Sequence, residues 1–196
     1  LGSLSIIKEI QKIGKNDIIY FADQKNYPYG VKSQAQLSTI IKKTINILEE
    51  KFVPDIIVVA SNTPSLMLNL QSNKIVDVKP PLKLAQKKSK SKKIAILATK
   101  SAIRSKGLRN YIKEKIDTIT LSSTYLLFLK TLLKKEFPQI QFLDPGNLVA
   151  TKILRKIKNK QSKRNSLKIF TSGNVIDFKN KLNKIGINNK INYLST

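Results

Sequence analysis

The sequence predicts an α/β protein organised on mostly parallel sheets, and three observations carry that prediction. Short β-branched runs such as Asp55-Ile-Ile-Val-Val-Ala60 alternate with longer amphipathic stretches along the whole chain, the pattern of strands feeding crossover helices. The first strand candidate, Asp17-Ile-Ile-Tyr-Phe-Ala-Asp23, is apolar without alternation, which suits a strand covered on both faces. Polar clusters follow the strands, where α/β folds place their binding sites. With 196 residues and 41% hydrophobic content, the chain has room for one ordinary domain or two small ones sharing a core.

The elements follow in order. An amphipathic helix over residues 4–13 leads into the first strand, and the loop Asn26-Tyr-Pro-Tyr-Gly30 comes after it. A helix over 33–51 runs through Pro54 into the second strand, which ends in Ser61-Asn62-Thr63-Pro64 at the mouth of another helix. Between 79 and 93 the composition shifts to Pro80-Pro81 and a run of Lys and Ser without periodicity, which reads as a loop or hinge. Regular order resumes with a strand over 93–98, a turn over 99–104 and a helix to about residue 115. The strand over 117–121 ends in Ser122-Ser123-Thr124, ahead of an apolar helix reaching about residue 136. A strand over 140–143 meets Asp144-Pro145-Gly146-Asn147, with Asn147 the expected N-cap of a basic helix over 148–158. A Lys-rich link over 159–166 precedes a strand over 167–170, then Thr171-Ser172-Gly173 and a final helix over 175–184.

Composition narrows the chemistry. There is no cysteine, so disulfides, thiolate metal sites and cysteine nucleophiles are excluded, and no histidine, so the usual general base near neutral pH is missing. Zinc chemistry and Ser-His-Asp catalysis go with them. No apolar run approaches the ~18 residues of a membrane span, and the first residues read as a helix rather than a signal peptide; the expectation is a soluble, cytoplasmic protein with no membrane partner. Two units put hydroxyls at a strand-to-helix junction, Ser61-Asn62-Thr63 and Ser123-Thr124. Each alone reads first as a helix cap, because Ser and Thr oxygens accept orphan backbone N–H groups.

Taken together, the stretches resemble the glutamate racemases of the aspartate/glutamate racemase family. Residues 2–10 are similar to the family's first helix, and Ile19-Tyr-Phe-Ala-Asp23 with Tyr27-Pro-Tyr-Gly30 to its strand and substrate-contacting Pro-Tyr-Gly loop. Ile57-Val-Val-Ala-Ser-Asn-Thr63 sits where the family has a strand ending in Cys-Asn-Thr, and Leu121-Ser-Ser-Thr124 where it has Gly-Cys-Thr-His. Ile94-Ala-Ile-Leu-Ala-Thr99 with Ser105, Leu143-Asp-Pro-Gly146 with Val149-Ala150, and Phe170-Thr-Ser-Gly173 complete the order.

The resemblance implies two related three-layer α/β lobes with a cleft between them, here residues 1–92 plus 146–196 and residues 93–145, the second shortened near 115–117. It implies cofactor-independent, metal-free interconversion of L- and D-glutamate for peptidoglycan synthesis, one thiolate removing the α-proton while a thiol opposite returns one. A small acidic amino acid would occupy the cleft, and dimers are common in the family. Carried over by position, Ser61 and Ser123 occupy the two thiol positions. Pro28, Tyr29, Gly30, Asn62, Thr63, Thr99 and Thr124 would hold the substrate.

The departures bear on the chemistry. Both thiols are serine, Tyr125 stands at the family's histidine, and Ala102 replaces a threonine. An alcohol is a weaker acid than a thiol by roughly five pKa units, so forming the base at neutral pH costs roughly 7 kcal/mol more. Activation by a neighbour would fall to a lysine such as Lys100. Racemisation is expected to be very slow or absent, and the alternative is a member that binds an amino acid or dicarboxylate without turning it over.

With 37 Lys+Arg against 12 Asp+Glu, the net charge is +25. A third reading follows from charge alone: nucleic-acid contact through residues 87–93 and 152–164, in keeping with the gyrase binding of some family members. Against it, Lys, Ile and Asn are abundant everywhere, lysines spread over exposed helix faces are usually only solvated, and no aromatics interleave with the Lys runs to stack bases. Nonspecific contact, lost at moderate salt, is the form expected.

Overall fold

A computed structural model describes residues 2–70, 72–97, 117–121, 129–157 and 160–196. The first unit is α1 (Ser3–Ile13), which buries Leu4, Ile6, Ile7 and Ile10 along one face, followed by β1 (Asp17–Ala22). Next come α2 (Gln34–Phe52), β2 (Ile57–Val59), α3 (Asn62–Met67) and β3 (Ile75–Asp77). They lead to α4 (Leu82–Lys88), β4 (Ile94–Leu97), β5 (Thr118–Leu121), α5 (Lys130–Glu136) and β6 (Gln141–Leu143). The chain closes with α6 (Gly146–Ile157), β7 (Ser166–Thr171), α7 (Val175–Asn183) and β8 (Ile191–Tyr193).

Among the described residues every strand pairing is parallel. The sheet orders are β1-β7-β8, β2-β3 and β4-β5-β6. β1 pairs with β7 from Asp17 opposite Ser166 to Ala22 opposite Thr171, joining segments about 150 residues apart in the chain. One face of this sheet carries α1 and α7, because Leu4, Ile7, Tyr20, Ile169, Phe178 and Leu182 form a single buried cluster. Successive strand residues point to opposite faces, so Phe170 turns the other way and meets Phe52 of α2 with ring centroids 4.9 Å apart. A second core joins α1 and α6 to β3 through Ile6, Ile10, Val76, Val149 and Ile153.

Two expectations are corrected. Residues 79–93 are not simply a loop: α4 lies within them, and its fully buried Ala85 packs with Ile94 and Leu143 of the third sheet. The helix is short, begins where Ala85 N–H donates to the Pro81 carbonyl, and carries Lys87 and Lys88 in its last turn. With so few apolar positions, no period is visible in the sequence. Asn147 is not the cap of α6, which already starts at Gly146; the Asp144 carboxylate accepts the Gly146 N–H at 3.0 Å and takes that role. No local pattern in the sequence marks the three-residue strands β3 and β8.

Ser33 caps α2 in a reciprocal box with Gln36, satisfying two orphan groups at once. The other end is strained: Val53 adopts φ 44° and ψ 54°, a left-handed conformation costly for a β-branched residue, and it is 79% exposed. Val53→Gly is expected to raise stability by about 1 kcal/mol, read as an upward shift in the urea unfolding midpoint.

Asp117 ties the segment between α4 and β4 to the start of β5, accepting the Ser89 hydroxyl at 2.6 Å and the Ser91 N–H at 2.7 Å. These donors hold its carboxyl well below the ordinary 3.8. A depressed carboxylate contributes stability that is complete above its unfolded pKa and lost as pH falls toward its folded one. The thermal midpoint should therefore lose Asp117's contribution only below about pH 4. Asp117→Asn should lower the midpoint at pH 7 and flatten that acid limb.

Candidate functional site

The site is built where β1 and β7 leave their sheet together. Ala22 is opposite Thr171, so Asp23 and Ser172 emerge side by side, and the Asp23 carboxylate gathers donors from three residues. The Ser172 hydroxyl reaches it at 2.8 Å, the Tyr29 hydroxyl at 2.8 Å, and the Asn26 amide at 2.9 and 3.0 Å. The Ser172 oxygen in turn accepts the Lys25 N–H at 3.1 Å. This network holds the Tyr27–Gly30 loop, which contains a cis Tyr27–Pro28 bond, over the strand ends. Burial, with the Asp23 charge adding to it, pushes the Tyr29 phenol far above its ordinary 10. Tyr29 is therefore a neutral hydroxyl whose hydrogen is committed to Asp23 and whose remaining lone pair can accept from a ligand cation.

From the other side, β2 ends and α3 begins. Ser61 has extended backbone angles, φ −141° and ψ 128°, and its side chain makes no capping bond. The reading of Ser61 as a helix cap is thus corrected: only its carbonyl is used, accepting the Ser65 hydroxyl at 2.8 Å. Asn62 is 6% exposed, and neither its amide nitrogen nor its oxygen has a partner. An unmet buried polar group costs about 1–3 kcal/mol, so this amide presents two donors and an acceptor that a ligand can satisfy. Thr63 is buried beside it.

Pro28, Tyr29, Gly30, Ser61, Asn62 and Thr63 all line one cavity of about 1760 Å³, together with Asp23. The structure brings these six sequence-derived residues together at the carboxyl ends of β1 and β2. Ser123, Thr99 and Thr124, with Lys100, Ala102, Ser105 and Tyr125, lie outside the described residues. No group of three or more acidic residues that could hold a metal occurs among the described residues.

Asp23 and Ser172 were not singled out as site residues from the sequence. The available signal was their shared position, each the residue following an apolar strand, but nothing local says that the two strands are neighbours. The basic segments also look different in three dimensions. Lys156 donates to the carbonyls of Ser72, Asn73 and Ile75, Lys160 meets Asp55 at 2.9 Å and Lys152 meets Asp77 at 3.5 Å. Burial disfavours the Asp77 charge, but Lys79 and Lys152 outweigh it and keep the carboxyl below its ordinary value.

Parallel sheets flanked by helices, with a cavity that reaches the carboxyl ends of two strands, define an α/β protein. The chain resembles the glutamate racemases in sequence and has their fold. The glutamate racemase of Clostridium botulinum is 28% identical over 82% of this chain, and the match spans 60% of that protein's length. That of Aquifex pyrophilus is 27% identical over 87% of this chain and 84% of its own. Among solved structures, glutamate racemase from Thermus thermophilus in complex with beta-chloro-D-alanine superposes with a TM-score of 0.84, at 17% identity, over 99% of this chain and 93% of its own. The Escherichia coli glutamate racemase in complex with L-glutamate gives 0.83 at 17% identity, over 99% and 94%. No family model matches the chain. No helix among the described residues is long and apolar enough to cross a membrane.

Gly173 tests the packing behind the site. A Cβ there would stand 2.5 Å from Oε1 and 2.6 Å from Cβ of Gln24, and Gln24 accepts the Thr171 hydroxyl at 3.0 Å. Gly173→Ala should cost about 1–3 kcal/mol in thermal or urea unfolding. Combining it with Gln24→Gly, which removes the clashing atoms, should recover part of the loss.

Proposed function

We propose that this chain binds an acidic amino acid, glutamate first, in the cavity beyond the carboxyl ends of β1 and β2, and that it exchanges the α-proton very slowly or not at all. The observation that carries the reading is Asn62, a buried amide with no partner inside that cavity. Its two N–H groups suit a carboxylate and its oxygen an ammonium, while the Tyr29 oxygen, its own hydrogen given to Asp23, adds a second acceptor. That donor and acceptor pattern matches the α-carbon substituents of an amino acid. Support also comes from the relatives, which are glutamate racemases, and from a structural neighbour in complex with L-glutamate.

The slow turnover rests on Ser61, at the position of a family thiol, and on Ser123 at the other. An alcohol that is no stronger an acid than usual gives almost no alkoxide at neutral pH. Ser61 has no histidine to activate it, since the chain contains none. The cavity's polar groups can orient a substrate, yet the base for proton abstraction is missing from Ser61.

The test is α-proton exchange in deuterated water, followed by NMR with L-glutamate, D-glutamate and both aspartates at high protein concentration. Binding in the micromolar range with exchange at the level of a no-protein control is expected; exchange clearly above that control would overturn the catalytic half of the reading. Joint Ser61→Cys and Ser123→Cys substitution should raise exchange by ~100-fold or more, because the acidity gap between alcohol and thiol is removed. Asn62→Leu keeps the volume and removes the unmet amide. It should weaken amino-acid binding at least tenfold while leaving the thermal midpoint unchanged or higher, and unaltered binding would sink the assignment of Asn62.

A further inference from the structure

Asp23 carries a charge that no ion pair balances among the described residues. Elsewhere in this basic chain Asp55 pairs with Lys160, Asp77 with Lys79 and Lys152, and Asp144 with Lys130. The partners of Asp23 are two hydroxyls and an amide. Lys25, two positions on, sends its ammonium to the Thr196 carbonyl at 3.0 Å instead. A carboxylate surrounded by neutral donors thus lines the cavity, in a molecule of net charge +25.

The direction of each of these hydrogen bonds is fixed. Oδ1 accepts from Ser172 and Asn26, and Oδ2 from Tyr29 and Asn26, which fills the acceptor positions of a carboxylate. A ligand therefore meets Asp23 only through its neighbours. The Lys25 backbone N–H donates to the Ser172 oxygen at 3.1 Å, so the Ser172 hydrogen is left for Asp23. The Tyr29 hydrogen is held as firmly. Turning it toward a ligand would leave two bare oxygens 2.8 Å apart, and a hydrogen bond to a carboxylate is about twice as strong as one between neutral groups. What Tyr29 offers a ligand is thus an acceptor with a negative charge behind it. The turn Tyr29–Val31 packs against α3, which begins at Asn62.

We propose that Asp23 makes this site demand a protonated amine: it is a positioning residue that acts through the Tyr29 hydroxyl without touching the ligand, and Ser172 in turn orients it. This role rests on the amino-acid reading above and narrows the ligands to acids that carry an α-ammonium group. An ammonium brings hydrogens and a positive charge to the Tyr29 oxygen. A 2-hydroxy acid brings one hydrogen and no charge, the deamino acid brings neither, and a 2-oxo acid sets a second oxygen against the first. A site built on a hydrogen bond rejects analogues that cannot make it far better than a site built on shape. The expected order of affinity is L-glutamate, then 2-hydroxyglutarate, then glutarate and 2-oxoglutarate. Overall charge favours the opposite order, because glutarate is a dianion, glutamate carries a single net negative charge, and the chain is strongly positive.

The test is NMR titration of the full chain with L-glutamate and with glutarate, at about 0.15 M salt so that long-range attraction is screened. The unaltered chain should bind L-glutamate at least ~10-fold more tightly than glutarate. Asp23→Asn keeps the shape and removes the charge, and should reduce that preference by ~5-fold or more. Tyr29→Phe should do the same, and the double variant should lose less than the product of the two single losses, because the carboxylate acts through the phenol. Ser172→Ala should give a smaller reduction in the same direction, absent when Tyr29 is already Phe; this pair carries the comparison if Asp23→Asn does not fold. An unchanged preference in Asp23→Asn, with both acids weakened alike, would leave Asp23 a structural role only and overturn the proposal. So would independent losses in the double variant. Equal binding of the two acids by the unaltered chain would overturn the selectivity and leave the amino-acid reading standing, whereas binding of neither would overturn both.

Discussion

The pairing of β1 with β7 is the constraint on which the rest depends. Six consecutive parallel registers, from Asp17 with Ser166 to Ala22 with Thr171, bring the early and late parts of the chain into one sheet. The same register fixes what happens at both ends of the strands. At the amino end it hands Asp17 the hydroxyls of Ser162 and Ser166, which draw its carboxyl below the ordinary value. At the carboxyl end it delivers Ser172 to Asp23 and presses Gly173 against Gln24. A slip of β1 by one residue would reverse the face of Tyr20, taking it out of the core it shares with Ile169 and Phe178.

From that register the site follows by short steps. Asp23 is fixed by Ser172 and Tyr29 by Asp23, each link a hydrogen bond of 2.8 Å, and Tyr29 holds the Pro-Tyr-Gly loop of which it is part. The carboxylate acts here as a scaffold, its oxygens taken up by donors from three residues. Opposite stands Asn62, unmet in the same cavity; on the proposed reading Asp23 supports the pocket and Asn62 meets the ligand.

Catalysis and binding separate for a chemical reason. Orienting an amino acid needs donors and acceptors at defined positions, which amides and hydroxyls supply. Abstracting an α-proton needs a base whose conjugate acid is poised near ambient pH, and serine is far from that range. On the proposed reading, the cavity keeps the recognition half of a racemase and lacks the acid–base half at Ser61.

The sequence by itself determined the α/β class, because apolar β-branched runs alternating with amphipathic helices have few other solutions. It located most strands to within a residue or two, and its motifs singled out Pro28, Tyr29, Gly30, Ser61, Asn62 and Thr63, which line one cavity. It could not show α4, whose buried face is little more than Ala85, nor β3 and β8, whose three residues carry no period of their own and exist through their neighbours. It read Ser61 as a cap, since local preference cannot tell whether a hydroxyl turns to the helix or away. Tertiary structure alone decided that Asp144 and not Asn147 starts α6, and that Asp23 meets Ser172 across 149 positions of sequence. These are matters of which segments become neighbours, and pairing between distant strands is set by the packing of the whole chain and not by any local stretch of it.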